Sequence, residues 1–326
     1  MLRPGYSTRR IAAELKTNGI IRSEDAFILW HYLRRRRSLK AGEYLFEKPA
    51  NMIDIQKRLR RGDVYFHTVV VPEGFTMFDI ARAIEAAGLG PAEDFLKVAQ
   101  SDTALIADLD PGAQSLEGYL FPDTYQFSRM MSMQEMAAAM VKQFRQVAGQ
   151  IGMIETPPDA KPAGKPQVLA NSPQGTVASA YLIPSPNESP VELEHSVTMA
   201  SIIEKETAVA EERPLVASVY YNRLAKKIAL DADPSIIYAE LLAGTYAGAL
   251  HHDDMRFNSP YNTYTHAGLP PGPIANPGKS ALEAAMHPAQ SDYYYFVADA
   301  AGHHRFARTI EEHNKNVAAY RRAMRG

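Results

Sequence analysis

The sequence predicts an α+β fold, with a small N-terminal α/β module followed by a larger mixed α+β domain. Three observations lead to it. Short β-rich runs alternate with capped helices near the N-terminus, helical patterns dominate the middle, and two β-rich runs meet across a Gly-containing turn near the C-terminus. Helices and antiparallel strands in separate runs indicate an α+β domain. At 326 residues, 46% of them hydrophobic, the chain can bury a sizeable core and hold one large domain plus a smaller one. The expected division is 1–67 and 68–326.

Three units near the N-terminus share one plan. Ser7 opens a helix that stops at Gly19, Asn51 opens one that stops at Gly62, and Thr76 opens one that stops at Gly88. Asp54 and Asp79 occupy the capping-box position of the second and third. The opening side chain takes an orphan N–H of the first turn, and glycine accepts the left-handed conformation that ends a helix. β-rich runs at 43–46 and 65–71 precede the last two units. Further helices are expected over 92–101 and from Ser132 to about Gln150. From about 150 to 190 the composition turns to Pro, Ala, Gly and Ser, which predicts a spacer-like insertion with little to bury. The next helical pattern spans 196–212, and Pro214 lies in the first turn of another helix reaching Lys227. The stretch 231–278 reads as loop-rich, 280–286 as a short helix, and 293–298 with 304–307 as a hairpin. A helix capped by Thr309 runs to about Met324.

Composition excludes several classes. A net charge of −2 argues against bulk attraction to nucleic acid. The four arginines at 34–37 close a helix, where cations complement the dipole, and read as a solvated terminus. With no cysteine, disulfides and thiol catalysis are out. No apolar run reaches the roughly 18 residues of a membrane span, and Met1-Leu-Arg-Pro lacks the regions of a signal peptide. No phosphate loop, dinucleotide fingerprint or nucleophile elbow is present. His251-His-Asp-Asp254 and His303-His304 are the metal candidates, but adjacent histidines point apart on a strand and no H-E-x-x-H helix exists. They read as exposed loop histidines, so neither metal nor cofactor is expected.

The chemistry concentrates in Met199-Ala-Ser-Ile-Ile-Glu-Lys-Glu-Thr-Ala208. Met199, Ile202, Ile203 and Val209 share one helix face, whereas Glu204 is ringed by Val197, Ala200, Ser201, Thr207 and Ala208. Glu211 completes that ring. A carboxylate among small side chains lets a substrate approach the helix closely; the alternative is a solvated surface glutamate. Glu206 falls on the apolar side with Arg213 beyond it, and reads as a structural, ion-paired carboxylate.

Asn222-Arg-Leu224, Leu230-Asp-Ala-Asp-Pro-Ser235, Ser259-Pro-Tyr-Asn-Thr-Tyr-Thr265, Gly268-Leu-Pro-Pro-Gly-Pro-Ile274, Asn276-Pro-Gly278, Ala285-Met-His-Pro288 and Tyr295-Phe-Val-Ala-Asp299 follow in fixed order. Upstream stands Leu116-Glu-Gly-Tyr-Leu-Phe-Pro-Asp-Thr-Tyr125. Over nearly its whole length the chain resembles the MltG/YceG family of endolytic lytic transglycosylases, which cut nascent peptidoglycan strands. That resemblance implies a catalytic glutamate at Glu204 and a substrate groove touching Tyr261, Asn262, Thr263 and Tyr264. Glu117 and Asn222 are further groove candidates, with packing or capping as the open alternative for each. Asp233 before Pro234 reads as a turn residue, with a role in the groove as the lesser alternative.

The strand–helix–Gly units of the N-terminal module resemble LysM-like modules, which bind N-acetylglucosamine polymers, although the same pattern builds any short helix. The implied partners are peptidoglycan strands and peptidoglycan synthases. The implied location is the bacterial inner membrane, with this chain in the periplasm and a preceding single membrane helix outside it. A catalytically weak glycan-binding scaffold is the alternative function.

Overall fold

The computed structural model describes residues 1–33, 38–47, 50–155 and 190–324, with backbone alone for 190–192. The arginines at 34–37 and residues 156–189 of the expected insertion lie outside the described residues. The fold is mixed α+β: eleven helices and two two-stranded sheets among the described residues. By internal contacts the chain divides into one unit of Met1–Val70, Ala81–Phe95 and Thr124–Met136, and a second of Val71–Ile80, Leu96–Asp123 and Ala137–Gly326.

In the first unit, α1 (Thr8–Thr17), α2 (Glu24–Leu33) and α3 (Met52–Arg61) surround a core of Leu2, Ile11, Leu15, Ile21, Phe27, Ile55 and Leu59. The caps are as the sequence predicts. Ser7 Oγ accepts from Arg10 N–H at 3.2 Å, Asn51 Oδ1 accepts from Asp54 N–H at 2.9 Å, and Gly62 ends α3 at φ +77°. Strands β1 (His67–Val70) and β2 (Thr124–Phe127) pair antiparallel, His67 opposite Phe127. The expected strand at 43–46 does not form. Backbone pairing there is limited to an isolated bridge between Leu2 and Gly42 and to Glu43 O accepting from Tyr65 N–H. Glu43 is spent on His67 at 2.9 Å and Arg129 at 3.3 Å. Helices α4 (Met77–Ala86), α5 (Ala92–Ser101) and α6 (Met133–Gln150) follow the predicted boundaries. Reciprocal bonds between Thr76 and Asp79 start α4, and Ser132 with Glu135 start α6.

The second unit is built around α7 (Pro190–Glu206), α8 (Arg213–Ala225), α9 (Asp233–Ala243) and α10 (Lys279–Met286). Val197, Met199, Ala200, Ile202 and Ile203 of α7 are wholly buried, and Ala281, Leu282 and Ala285 pack α10 against that helix. Burying each large aliphatic side chain stabilises by about 1.5–3 kcal/mol, so this small-to-large interdigitation is the principal adhesive. Strands β3 (Tyr295–Ala298) and β4 (His304–Ala307) pair with Tyr295 opposite Ala307, turn at Gly302 (φ +85°), and pack on α11 (Ile310–Ala323).

Two expectations fail here. The helix through Glu204 stops at Glu206 rather than running to Glu212; a short 3-10 turn at Ala210–Glu212 leads into α8, whose first turn holds Pro214. Within the supposedly loop-rich 231–278, α9 forms between Pro234 in its first turn and Gly244 at φ +70°. It buries Ile236, Tyr238, Ala239 and Glu240, so it shows no clean polar face.

Candidate active site

The last turn of α7 presents its two glutamates to different surroundings. Glu204 is bonded through both carboxylate oxygens. Arg213 Nη2 lies 2.7 Å from Oε1, Gly278 N–H donates to Oε2 at 3.0 Å, and the two paired side chains are only 4% and 6% exposed. Glu73 reaches the same guanidinium at 3.5 Å. The small residues around Glu204 do admit a close neighbour, but that neighbour is α10 with the segment before it: Ser201 Oγ accepts from Ile274 N–H, and a Cβ at Gly278 would collide with Glu73. Burial raises the Glu204 carboxyl above its ordinary value, while Gly278 N–H and Arg213 pull it back.

Glu206 was expected to carry the ion pair; Arg213 instead serves Glu204. Residues two apart on a helix face different sides, and α8 begins beside the Glu204 side. Glu206 accepts the Tyr220 hydroxyl at 2.7 Å and lines a cleft of about 390 Å³. Arg223, Asp233, Tyr264, Tyr295 and His313 also line it. Burial first, then the negative charge of Asp233, pushes the Glu206 carboxyl up to about 7, against the opposing Tyr220 bond and Arg223. Its place at the C-terminal end of α7 acts in the same direction, since the helix dipole disfavours an anion there. A carboxylic acid titrating near 7, in an aromatic-walled cleft, suits general acid–base work.

The cleft walls are held by bonds across long stretches of chain. Arg223 donates to the carbonyls of Tyr294, Ala229 and Leu230, pairs with Asp231 at 3.0 Å, and lies over the Tyr295 ring. Asp231 adopts φ +51°, a left-handed conformation that Asp tolerates. Tyr264 donates its hydroxyl to Asp233 at 2.5 Å. Asp233 therefore opens α9 and faces the cleft instead of merely fixing a turn.

The groove candidates separate by burial. Tyr264 is exposed and lines the cleft; Tyr261 is half-buried, its ring 5.2 Å from that of Tyr238. Asn262 and Thr263 are buried. Asn262 Nδ2 donates to the carbonyls of Met255 and Phe257, and Thr263 Oγ1 accepts from Ala232 N–H and pairs with Ser235. Asn222 Nδ2 donates to the carbonyls of Ser291 and Tyr293, tying α8 to the strand that follows. Glu117 is 1% exposed and accepts from Met77 N–H, so it satisfies an orphan donor at the start of α4. Asn276 Nδ2 donates to it at 2.6 Å, and burial raises its carboxyl to about 8. His303 and His304 both direct Nδ1 to Glu212, at 3.0 and 2.7 Å, and His251 caps the 3-10 turn His252–Arg256. Sequence reasoning missed Glu73, Tyr220 and His313. Tyr220 had a signal, seven residues beyond Arg213 and so on the same face of α8; Glu73 and His313 had none.

Comparison with known proteins is consistent across sequence and structure. The model of the YceG-like family matches residues 1–319. The chain is 34% identical to the endolytic murein transglycosylase of Bacillus subtilis (strain 168), over 97% of this chain and 82% of that protein. It is 30% identical to the endolytic murein transglycosylase of Streptococcus pneumoniae serotype 2, over 97% of this chain and 57% of that protein. A crystal structure of a YceG-like protein from Listeria monocytogenes superposes with a TM-score of 0.58 at 30% identity, covering 96% of this chain and 97% of that one.

Proposed function

The chain belongs to the YceG-like family, and we propose that it is an endolytic murein transglycosylase whose proton donor is Glu204, the glutamate to which the resemblance points. The observation that supports the choice of residue is its setting at the end of α7: burial raises its carboxyl, while Arg213 and Gly278 N–H hold its two oxygens. Glu206, which accepts the Tyr220 hydroxyl and lines the neighbouring cleft, is the rival.

The chemistry needs one carboxyl group. Glu204 as the acid gives its proton to the bridging oxygen between muramic acid and N-acetylglucosamine. The C1–O bond breaks, the leaving oxygen keeps the electron pair, and positive charge spreads over C1 and the ring oxygen. The carboxylate then takes the proton of the muramic C6 hydroxyl as that oxygen bonds C1. The product is a 1,6-anhydro end, the acid is regenerated, and no water is consumed. Tyr264 and Tyr295 offer aromatic faces to sugar rings.

The finer readings follow the same premise. The first unit holds glycan in the manner of a LysM-like module; its groove of about 720 Å³, lined by Asn18, Arg22, Phe46 and Met52, supports this. The protein works on the periplasmic side of the bacterial inner membrane, on strands emerging from peptidoglycan synthases. No helix among the described residues is long and apolar enough to cross a membrane. Digestion of purified peptidoglycan by the wild type, Glu206→Gln and Glu204→Gln tests both function and residue. Activity should vanish with Glu204→Gln, and full activity in that variant alongside an inactive, normally melting Glu206→Gln would move the role to Glu206.

A further inference from the structure

Glu204 as the acid poses a problem that its own two bonds do not solve. Arg213 Nη2 at 2.7 Å and Gly278 N–H at 3.0 Å both favour the carboxylate, yet the reaction needs the protonated form. Protonation also leaves the buried Arg213 guanidinium short of a counter-charge, and a buried unpaired cation is costly. Glu73, exposed in the segment between β1 and α4, stands at the same nitrogen, with Oε2 3.5 Å from Arg213 Nη2. The Nε–H of that guanidinium is buried without a partner among the described residues, so a donor is free for a second carboxylate. Gly278 keeps the space for Glu73. Its φ of −78° is one that any residue adopts, but a Cβ there would collide with the Glu73 carboxyl. The residue whose N–H holds Glu204 therefore also seats Glu73. The other charged groups around the end of α7 are engaged elsewhere. Lys205 donates to Gly74 O at 3.2 Å, Glu206 accepts from Tyr220, Glu212 holds His303 and His304, and Lys279 at the start of α10 reaches Glu283 at 3.6 Å.

We propose that Glu73 is a positioning residue for the acid: it takes Arg213 as its own partner when Glu204 binds a proton, and so frees the Glu204 O–H to turn to the bridging oxygen. The inference rests on the reading of Glu204 as the acid. Glu73 touches no reacting atom and transfers no proton. When Glu204 has given its proton away, Arg213 returns to the new carboxylate; when that carboxylate takes the C6 hydroxyl proton, Arg213 passes back to Glu73. One guanidinium thus serves two carboxylates in turn, and its buried charge is paired at each stage. The electrostatics agree in direction. Burial is the main cause that raises the Glu204 carboxyl, and the charge of Glu73 adds to it, against Gly278 N–H, Arg213 and Lys205.

The test is a set of pH–rate profiles on purified glycan strands, with folding followed by chemical denaturation. Glu73→Gln should lower kcat at neutral pH by about 10- to 100-fold, a part of what the acid itself contributes, with little change in KM. It should also move the alkaline limb to lower pH, because Glu204 loses its proton earlier once Arg213 has no second partner. Glu73→Ser provides a second neutral variant should the amide disturb folding. Glu73→Asp keeps the charge and should bring the limb back toward the wild type. Neutral variants with wild-type kcat and an unmoved limb, beside an inactive Glu204→Gln, would overturn the role of Glu73 while leaving Glu204 as the acid. A loss of stability with the limb unmoved would make Glu73 structural and overturn the role equally. Glu73→Gln as inactive as Glu204→Gln at every pH would make Glu73 a reacting group, which contradicts a positioning role. An active Glu204→Gln would remove the premise instead.

Discussion

Glu204 and Glu206 differ by half a helical turn and meet different partners, Arg213 with Gly278 N–H for the first and the Tyr220 hydroxyl for the second. Glu204→Gln should lose about 10²–10⁴-fold in cleavage rate and remain folded in chemical denaturation, because Glu73 still reaches the Arg213 guanidinium at 3.5 Å. Glu206→Gln should keep most of the cleavage rate, since the amide oxygen can still accept the Tyr220 hydroxyl. The pH dependence carries a definite sign. The acid form of Glu204 persists to higher pH than that of an ordinary glutamate, because burial raises its carboxyl. Cleavage should hold on the acid side and fall as pH rises through that raised range. A rate that climbs across that range would identify a base as the limiting group.

At the level of elements, Asn276 joins three segments through one buried amide. Its Oδ1 accepts from Gly118 and Leu120 N–H at 2.9 Å each, and its Nδ2 donates to Phe75 O and Glu117. Asn276→Ala strands several buried groups, each costing about 1–3 kcal/mol. The expected loss is several kcal/mol in denaturant titration, and a change below about 1 kcal/mol would mean that water replaces the amide. Most helices were legible because their caps are local: Ser7, Asn51, Thr76 with Asp79, and Thr309 each bond within four residues. Helix α9 escaped although Pro234 and Gly244 bracket it, because Ala232 offers no side-chain cap and burial on several faces erases its period. The site was legible as a region and not as a geometry. The Tyr-Asn-Thr-Tyr run marks the right neighbourhood, but burial of Asn262 and Thr263 is decided by Ala232, Ser235 and Phe257, out of view in a linear motif. Pairs such as Glu73 with Arg213 or Asp233 with Tyr264 connect residues far apart in sequence.

On the scale of the molecule, the first unit takes in Ala81–Phe95 and Thr124–Met136 besides residues 1–70. Deleting 1–67 would remove the α1–α3 core, the start of β1, and Glu43, which holds Arg129. Hydrogen exchange should then show lost protection at 124–127, where β2 loses part of its pairing; unchanged protection there would mean that β2 is held without it. Mass spectrometry of the ends released from purified peptidoglycan tests the transglycosylase reaction most directly. Internal cuts bearing 1,6-anhydro-muramic ends are the predicted result; reducing muramic ends, which require attack by water, would contradict it.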